Sequence, residues 1–278
     1  ARPFPKRCLV FSPEPQDAIT GMGGTIDRLI EQGHDVRLIS LTSGSLRVPD
    51  SEADKFAETL LELASNSVKP GDWKPQVDYA KEALAQLEAK GEFGEDTPLL
   101  RQLKGLILRG ELRDAAHAVG LSHDKVVFLD LPFYEQGRYR RFKSTQADVD
   151  ALKKLLLEQK PHQIYLTGDA ADPSSVSGIT FRLLMSALQA CGGEEFSGAC
   201  SLWLYRGKER ALEPHEIDMA VPMSPLQLER KTNALNRYSA LSSLEKEAPE
   251  TNRENARQYD RLGLAEYEAI ETFQRWRR

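Results

Sequence analysis

Glu14, Gln16 and Asp17 stand close together in a proline-containing loop, Ser12 to Thr20, between an apolar run and a glycine-rich one. Two carboxylates three residues apart can hold Mg²⁺ or Ca²⁺ with help from carbonyls and waters, or can hydrogen-bond to the start of a nearby helix. Two protein ligands fall short of a dedicated site, so the expected metal is none. Gln16 is neutral and accepts no proton at neutral pH, which removes it as a general base. Gly23, Gly24 and Thr25 follow, and a helix beginning there presents free backbone N–H groups and a positive dipole end. Such an end suits a phosphate or carboxylate, although Asp17 or Glu14 could equally satisfy it. Ile26 occupies the place of a third glycine, so the run is no dinucleotide fingerprint and a Rossmann dehydrogenase is a weak alternative.

Other reactive residue types are scattered. Arg47, Arg109, Arg138, Arg140 and Arg141 lie in or near loops after expected strands. The run Arg138-Tyr139-Arg140-Arg141 is either a clamp for a sugar phosphate or a solvated basic patch. Ser12, Ser43 and Ser45 have no base beside them in sequence. Five histidines (His34, His117, His123, His162, His215) read as surface turns and helix faces. Three cysteines are spaced like neither a metal site nor a redox pair, and Cys8 reads as a small buried hydrophobe.

The elements that must carry these residues follow from periodicity. Cys8 to Phe11 is too short for a helix and reads as a buried strand. Ile26, Leu29 and Ile30 repeat at helical spacing, Gly33 ends that helix, and Val36 to Leu41 is a second strand. A strand–helix–strand unit of this length is a right-handed crossover between parallel strands, with ligands at the carboxyl end of the first. Helices are expected at Ser51–Leu63, Val77–Lys90, Pro98–Val119, Gln146–Gln159, Ile179–Ala190, Pro225–Leu241 and Asn252–Trp276. Strands are expected at Lys125–Leu131, His162–Thr167, Ala199–Tyr205 and Ile217–Val221. The alternation predicts an α/β fold, a Rossmann-like, mostly parallel sheet with helices on both faces. One domain over 1–278 is expected, with a helical insertion at about 46–94 over one edge of the sheet.

The 278 residues are 40% apolar, enough for a large core, and no apolar run approaches a bilayer's thickness. A formal charge of −5 argues against a nucleic-acid partner. A soluble, reduced, cytoplasmic protein is the expectation.

The first-strand loop resembles the metal-dependent sugar de-N-acetylases, the LmbE and GlcNAc-phosphatidylinositol de-N-acetylase group. That family carries Pro-His-Pro-Asp-Asp-Glu after its first strand, then a Gly-Gly-Thr helix start and a Gly-His-acid-Val turn. The chain has Pro13-Glu14-Pro15-Gln16-Asp17-Ala18, Gly23-Gly24-Thr25 and Gly33-His34-Asp35-Val36 in these places. Arg109-Gly110-Glu111-Leu112, Phe128-Leu129-Asp130-Leu131-Pro132-Phe133-Tyr134, Lys160-Pro161-His162-Gln163-Ile164-Tyr165 and Leu262-Gly263-Leu264-Ala265-Glu266-Tyr267-Glu268 are similar to one branch. In that branch the domain is fused behind glucosamine-6-phosphate deaminase.

The resemblance implies a zinc held by the loop's histidine and second aspartate and by a histidine of a later Asp-Pro-His-x-x-His loop, with the first aspartate as base. Here the histidine place is Glu14 and the base place Gln16, while Asp17 keeps the second ligand place. The later loop is Asp172-Pro173-Ser174-Ser175-Val176-Ser177, and a late histidine in a Lys-x-x-Ala-Leu-x-x-His frame has become Tyr238. Gln16, Ser174 and Tyr238 are thus the degenerate catalytic positions. Glu14, Asp17, Gly23, Gly24, Thr25, Arg109, Asp172 and Ser177 are the expected ligand-binding residues. The expectation is a non-catalytic domain of amino-sugar metabolism that needs no cofactor and binds a sugar or sugar phosphate. A deaminase fusion partner or a homo-oligomer goes with it, and a rebuilt hydrolase or a purely structural oligomerisation domain are the alternatives.

Overall fold

The structure is a computed structural model describing residues 4–67, 70–91, 94–136, 142–207 and 212–277. The basic run at 138–141 lies outside them. The strands are β1 (Arg7–Ser12), β2 (Asp35–Ser40), β3 (Val126–Phe128), β4 (Gln163–Thr167), β5 (Ser201–Tyr205), β6 (Met219–Met223) and β7 (Ala269–Trp276). The helices are α1 (Asp17–Glu31), α2 (Asp50–Ser65), α3 (Lys74–Lys90), α4 (Pro98–Ala118), α5 (Pro132–Glu135), α6 (Gln146–Gln159), α7 (Val176–Ala190), α8 (Glu195–Ala199), α9 (Pro225–Leu235), α10 (Ser243–Lys246) and α11 (Ala248–Arg261). The chain falls into two compact units, 1–42 with 112–278, and 43–111.

The larger unit holds a seven-stranded sheet in the order β3-β2-β1-β4-β5-β7-β6. β3, β2, β1, β4 and β5 pair in parallel, with Cys8 opposite Val36 on one side and Gln163 on the other. β7 pairs antiparallel with both β5 and β6. β1 is central, so its residues are apolar on both faces: Cys8, Leu9, Val10 and Phe11 are fully buried. Each of the last three contributes roughly 1.5–3 kcal/mol by leaving water. Right-handed crossovers carry the chain one way from β1 through β2 to β3, and the other way from β4 to β5. The switch point therefore lies between β1 and β4, where an open sheet leaves a crevice at the carboxyl ends of its strands.

The helix expected over Asn252–Trp276 is instead a helix followed by a strand. α11 ends at Arg261, Gly263 takes a positive φ of 75° that favours glycine, and β7 enters the sheet. Ile270 and Phe273, three apart, fit a helical stripe as well as a strand, and burial between β5 and β6 decides for the strand. The helix expected to reach Leu241 stops at Leu235. α1 begins at Asp17, well before the glycine run, and breaks at Met22 (φ −146°, ψ 27°).

The smaller unit spans Ser43–Glu111. It contains α2, α3 and the first part of α4. Lys90 and Lys104 share Asp50 and Asp96 at 2.6–2.9 Å, an alternating quartet joining the start of α2, the end of α3 and the segment leading into α4.

Candidate functional site

Ser12 ends β1 and organises the loop that follows. Its hydroxyl donates to the Glu14 carbonyl at 2.5 Å and accepts the Ala18 N–H at 3.0 Å, which turns the chain directly into α1. Asp17 also serves the turn: its Oδ2 accepts the Glu14 N–H at 2.8 Å, and its own N–H reaches the Glu14 carbonyl at 3.1 Å. Gln16 is driven inward, only 2% exposed. Its Nε2 donates to Glu14 Oε2 at 3.4 Å and to Glu245 Oε1 at 3.2 Å, while its Oε1 is buried with no hydrogen-bond partner.

Glu245, on α10, is fully buried. A capping box fixes it, because the Ser242 N–H and hydroxyl both donate to its Oε2, at 2.7 and 2.6 Å. Tyr238 closes the same side, donating its hydroxyl to the Pro15 carbonyl at 3.2 Å. Beneath the loop, the fully buried Tyr205 at the end of β5 donates to the Phe11 carbonyl at 3.0 Å. Burial pushes the Tyr205 phenol well above its ordinary value, and the carboxylates of Asp17 and Asp169 push it further the same way. Asp169 follows β4, so the loops on the two sides of the switch point act on one phenol. Gly21 is required here, because a Cβ would collide with the Tyr205 ring and the Arg206 carbonyl.

The glycine run has a different role from the one its sequence predicts. After the break at Met22 the helix restarts, and its exposed N–H groups are taken by a side chain of β7. Glu271 accepts from Gly24 N at 3.0 Å, from Thr25 N at 2.7 Å and from the Thr25 hydroxyl at 2.6 Å. Lys231 of α9, fully buried, donates to Glu271 Oε1 at 2.7 Å and to Asn252 Oδ1 at 2.8 Å. Burial lowers the Lys231 ammonium pKa and Glu271 opposes that shift. Gly24 must be glycine because a Cβ would strike the Met223 side chain. The amides of Gly24 and Thr25 that looked available to a ligand are therefore bound to a carboxylate of the chain itself.

The later loop is held by its own polar groups. Ser174 N–H and hydroxyl donate to Asp172 Oδ1 at 2.8 and 2.7 Å, which holds the exposed Asp172 carboxyl below its ordinary range. Ser175 caps α7 through Gly178 N at 3.0 Å, and the Ser177 carbonyl accepts the Thr180 hydroxyl. Arg109 lies on α4 in the smaller unit. The structure thus gathers Glu14, Gln16 and Asp17 with Glu245, Tyr238 and Asp169, and leaves Asp172, Ser174 and Ser177 bonded among their own neighbours. Glu245 and Glu271 were missed in the sequence. The Ser242-to-Glu245 capping box is a local signal for the first, and the β-branched and aromatic residues of β7 mark the second's strand.

A catalytic zinc takes three nitrogen, sulfur or carboxylate ligands and leaves a position for water. The residues present do not fit that demand. No imidazole stands at any of these places, the Asp17 carboxylate is engaged by the Glu14 amide, and the Ser174 hydroxyl points its proton at Asp172. Among the described residues, no three His, Cys, Asp or Glu side chains are placed to share one ion.

The chain is similar to known proteins over nearly its whole length. The chain is 37% identical over 286 residues to a protein of Bacteroides thetaiotaomicron named glucosamine-6-phosphate deaminase-like, covering 98% of the chain and 43% of that protein. The chain spans less than half of this relative's length. Among solved structures, the 4-carboxy-2-hydroxymuconate hydratase GalB of Pseudomonas putida superposes with a TM-score of 0.64 at 17% identity, over 98% of this chain and 97% of that one. The N,N'-diacetylchitobiose deacetylase of Pyrococcus horikoshii superposes with a TM-score of 0.56 at 16% identity, over 98% and 84%. At such identities the likeness is one of fold, and the two names already differ in chemistry. The signature of the family described as GlcNAc-PI de-N-acetylase matches residues 9–176, more than half the chain, and with the first-strand loop and the sheet order on the page, the chain belongs to the GlcNAc-PI de-N-acetylase (PIG-L) family.

Proposed function

We propose that this chain is a non-hydrolytic, amino-sugar-binding domain that takes a sugar or sugar phosphate and serves a glucosamine-6-phosphate deaminase as a regulatory or assembly domain. One observation carries the reading. The side chain at the family's base position is a buried amide whose N–H groups are spent on the carboxylates of Glu14 and Glu245. An amide removes no proton from water, and without zinc ligands nothing on the loop lowers that water's pKa. The deaminase association, and with it a cytoplasmic setting, is supported by the name of the Bacteroides relative and by the length of that relative outside the match. No helix among the described residues is long and apolar enough to cross a membrane.

A second reading, a structural oligomerisation domain, is favoured by the segment between α11 and β7, where Leu262, Leu264 and Tyr267 are exposed together. Metal analysis of the purified protein, run beside calorimetric binding of glucosamine and a deacetylation assay on N-acetylglucosamine and its 6-phosphate, separates the readings. Sugar binding without stoichiometric metal or turnover is the expected result. Turnover, with or without a bound ion, would sink the proposal in favour of a rebuilt hydrolase. Absence of both binding and turnover would transfer the case to the oligomerisation reading.

A further inference from the structure

We infer that the stretch leading into β1 is held by a pH-sensitive clasp of two histidines, His34 and His162, which frees residues 4–6 from the amino end of the sheet in mild acid. The first observation is the hydrogen bonding. The Lys6 N–H donates to His34 Nδ1 at 3.2 Å, and the Arg7 N–H donates to His162 Nδ1 at 2.9 Å. His34 directly precedes β2 and His162 directly precedes β4, the two strands that flank β1. Successive N–H groups of a strand point to its two neighbours in turn, so each imidazole takes the place of a ladder carbonyl. The ladder itself takes over at the same point. The Asp35 N–H reaches the Lys6 carbonyl and the His162 N–H reaches the Arg7 carbonyl, each at 2.9 Å.

The second observation is what such bonds require. An imidazole nitrogen accepts only when it carries no proton, and both nitrogens of an imidazolium are donors. Protonation therefore sets an N–H against each backbone N–H and removes both bonds, and histidine makes that change in mild acid. The surroundings favour the neutral rings. Burial lowers the pKa of both, Lys6 acts the same way on His34, and Arg7 and then Lys6 act the same way on His162. The nearby Asp35 carboxylate is turned to Lys125 Nζ at 2.7 Å, and the Cys8 thiol, pushed up to about 12 by burial, stays uncharged. A histidine held below its ordinary value of about 6.5 stabilises the neutral clasp above that value. The clasp is lost as pH falls through the folded value.

The anchor behind the clasp is indifferent to pH. The Arg7 guanidinium donates to the Gln159 and Lys160 carbonyls at 2.6–2.9 Å, at the end of α6, and stays charged throughout. It keeps the start of β1 in place while the residues before it lose their hold. Phe4, whose ring stands edge-on to His162 at a centroid distance of 6.0 Å, belongs to the stretch that is freed. Both histidines lie at the amino ends of parallel strands, the end opposite Gln16, so the inference does not rest on the proposed function.

Amide hydrogen exchange of the full chain, expressed as protection relative to the unfolded rate at each pH, tests it. From about pH 7.5 to about pH 5, protection at Lys6 and Arg7 should fall about five- to tenfold, the worth of one hydrogen bond. Leu9, Val10 and Phe11 of β1 should stay protected. His34→Asn combined with His162→Asn keeps an acceptor oxygen near each Nδ1 position but cannot titrate, so its protection should be the same at both pH values. No fall in wild type, or an equal fall in the asparagine variant, overturns the inference. A parallel loss of protection in β1 also overturns it, since the whole sheet would then be opening. Should the asparagine variant fail to fold, the ring nitrogen chemical shifts of the wild-type histidines decide. Both rings should carry their proton on Nε2 at neutral pH and gain the second proton as Lys6 and Arg7 lose protection, whereas a proton on Nδ1 at neutral pH overturns the clasp.

Discussion

Two buried polar clusters lie along α1, one at its first turn and one at its break, and they are built on opposite rules. At the break, an ammonium meets a carboxylate: Lys231 donates to Glu271 and Asn252, and Glu271 accepts the N–H groups of Gly24 and Thr25. At the first turn, two carboxylates, Glu14 and Glu245, converge on one neutral amide, Gln16, whose carbonyl oxygen is left over. A buried charge is tolerated when its opposite is beside it, whereas at the first turn the half-buried Glu14 and the buried Glu245 each accept an N–H of the same neutral amide. The cluster at the break holds the fold. The cluster at the first turn joins the loop after β1 to α10 through a neutral amide.

Lys231→Met should break this contrast most severely. It leaves Glu271 buried beside two backbone amides with no counter-ion, and the loss should be about 3–5 kcal/mol in denaturant unfolding. A loss below about 1 kcal/mol would mean the pair does not hold the two halves of the unit together.

Gln16→Glu sharpens the comparison from the other side. It places a third carboxylate between two, so at neutral pH the variant should lose about 1–3 kcal/mol. The new carboxyl's folded pKa is raised by burial and by Glu14 and Glu245. A raised folded value means stability is intact below the unfolded value of about 4.3 and is lost as pH rises through the folded one. The deficit should therefore vanish in acid and be full at neutral pH. A Gln16→Glu deficit that ignores pH would show that residue 16 is not flanked by carboxylates.

Ser242→Ala is the mildest probe. It removes the hydroxyl that fixes Glu245 Oε2 and should lower stability by about 1 kcal/mol, the usual worth of an N-cap. Its effect and that of Gln16→Glu should be non-additive, since both act on Glu245. Simple additivity in the double variant would separate the capping box from the site.

The sequence made the β1–α1–β2 unit legible because its apolar spacing is strong and local: Cys8 to Phe11 alternate with nothing, and Ile26, Leu29 and Ile30 fall on one stripe. The alternation of later elements was readable for the same reason, and so was the glycine at 33, whose φ of 82° ends α1. The terminal strand was not, since a short amphipathic run beside a helix offers both periods at once. The partners of the site were illegible for a deeper reason. Glu245 and Glu271 meet α1 across 229 and 247 residues, and nothing in a glutamate's immediate neighbours reports whether it faces water or an amide on the other side of a sheet. Gln16 looked like a lost base, and only the fold gives what it has become, a neutral spacer between acids.

The break at Met22 carries a consequence for how the molecule assembles. From Gly23 onward, α1 is a second helix whose opening amides have no cap until β7 delivers Glu271, 247 positions further along the chain. While the chain is being synthesised, the early strand–helix–strand unit can collapse but stays frayed at its middle. Such a long wait favours slow closure, a late acquisition of protease resistance around residues 22–25, and a core that locks only when β7 threads between β5 and β6.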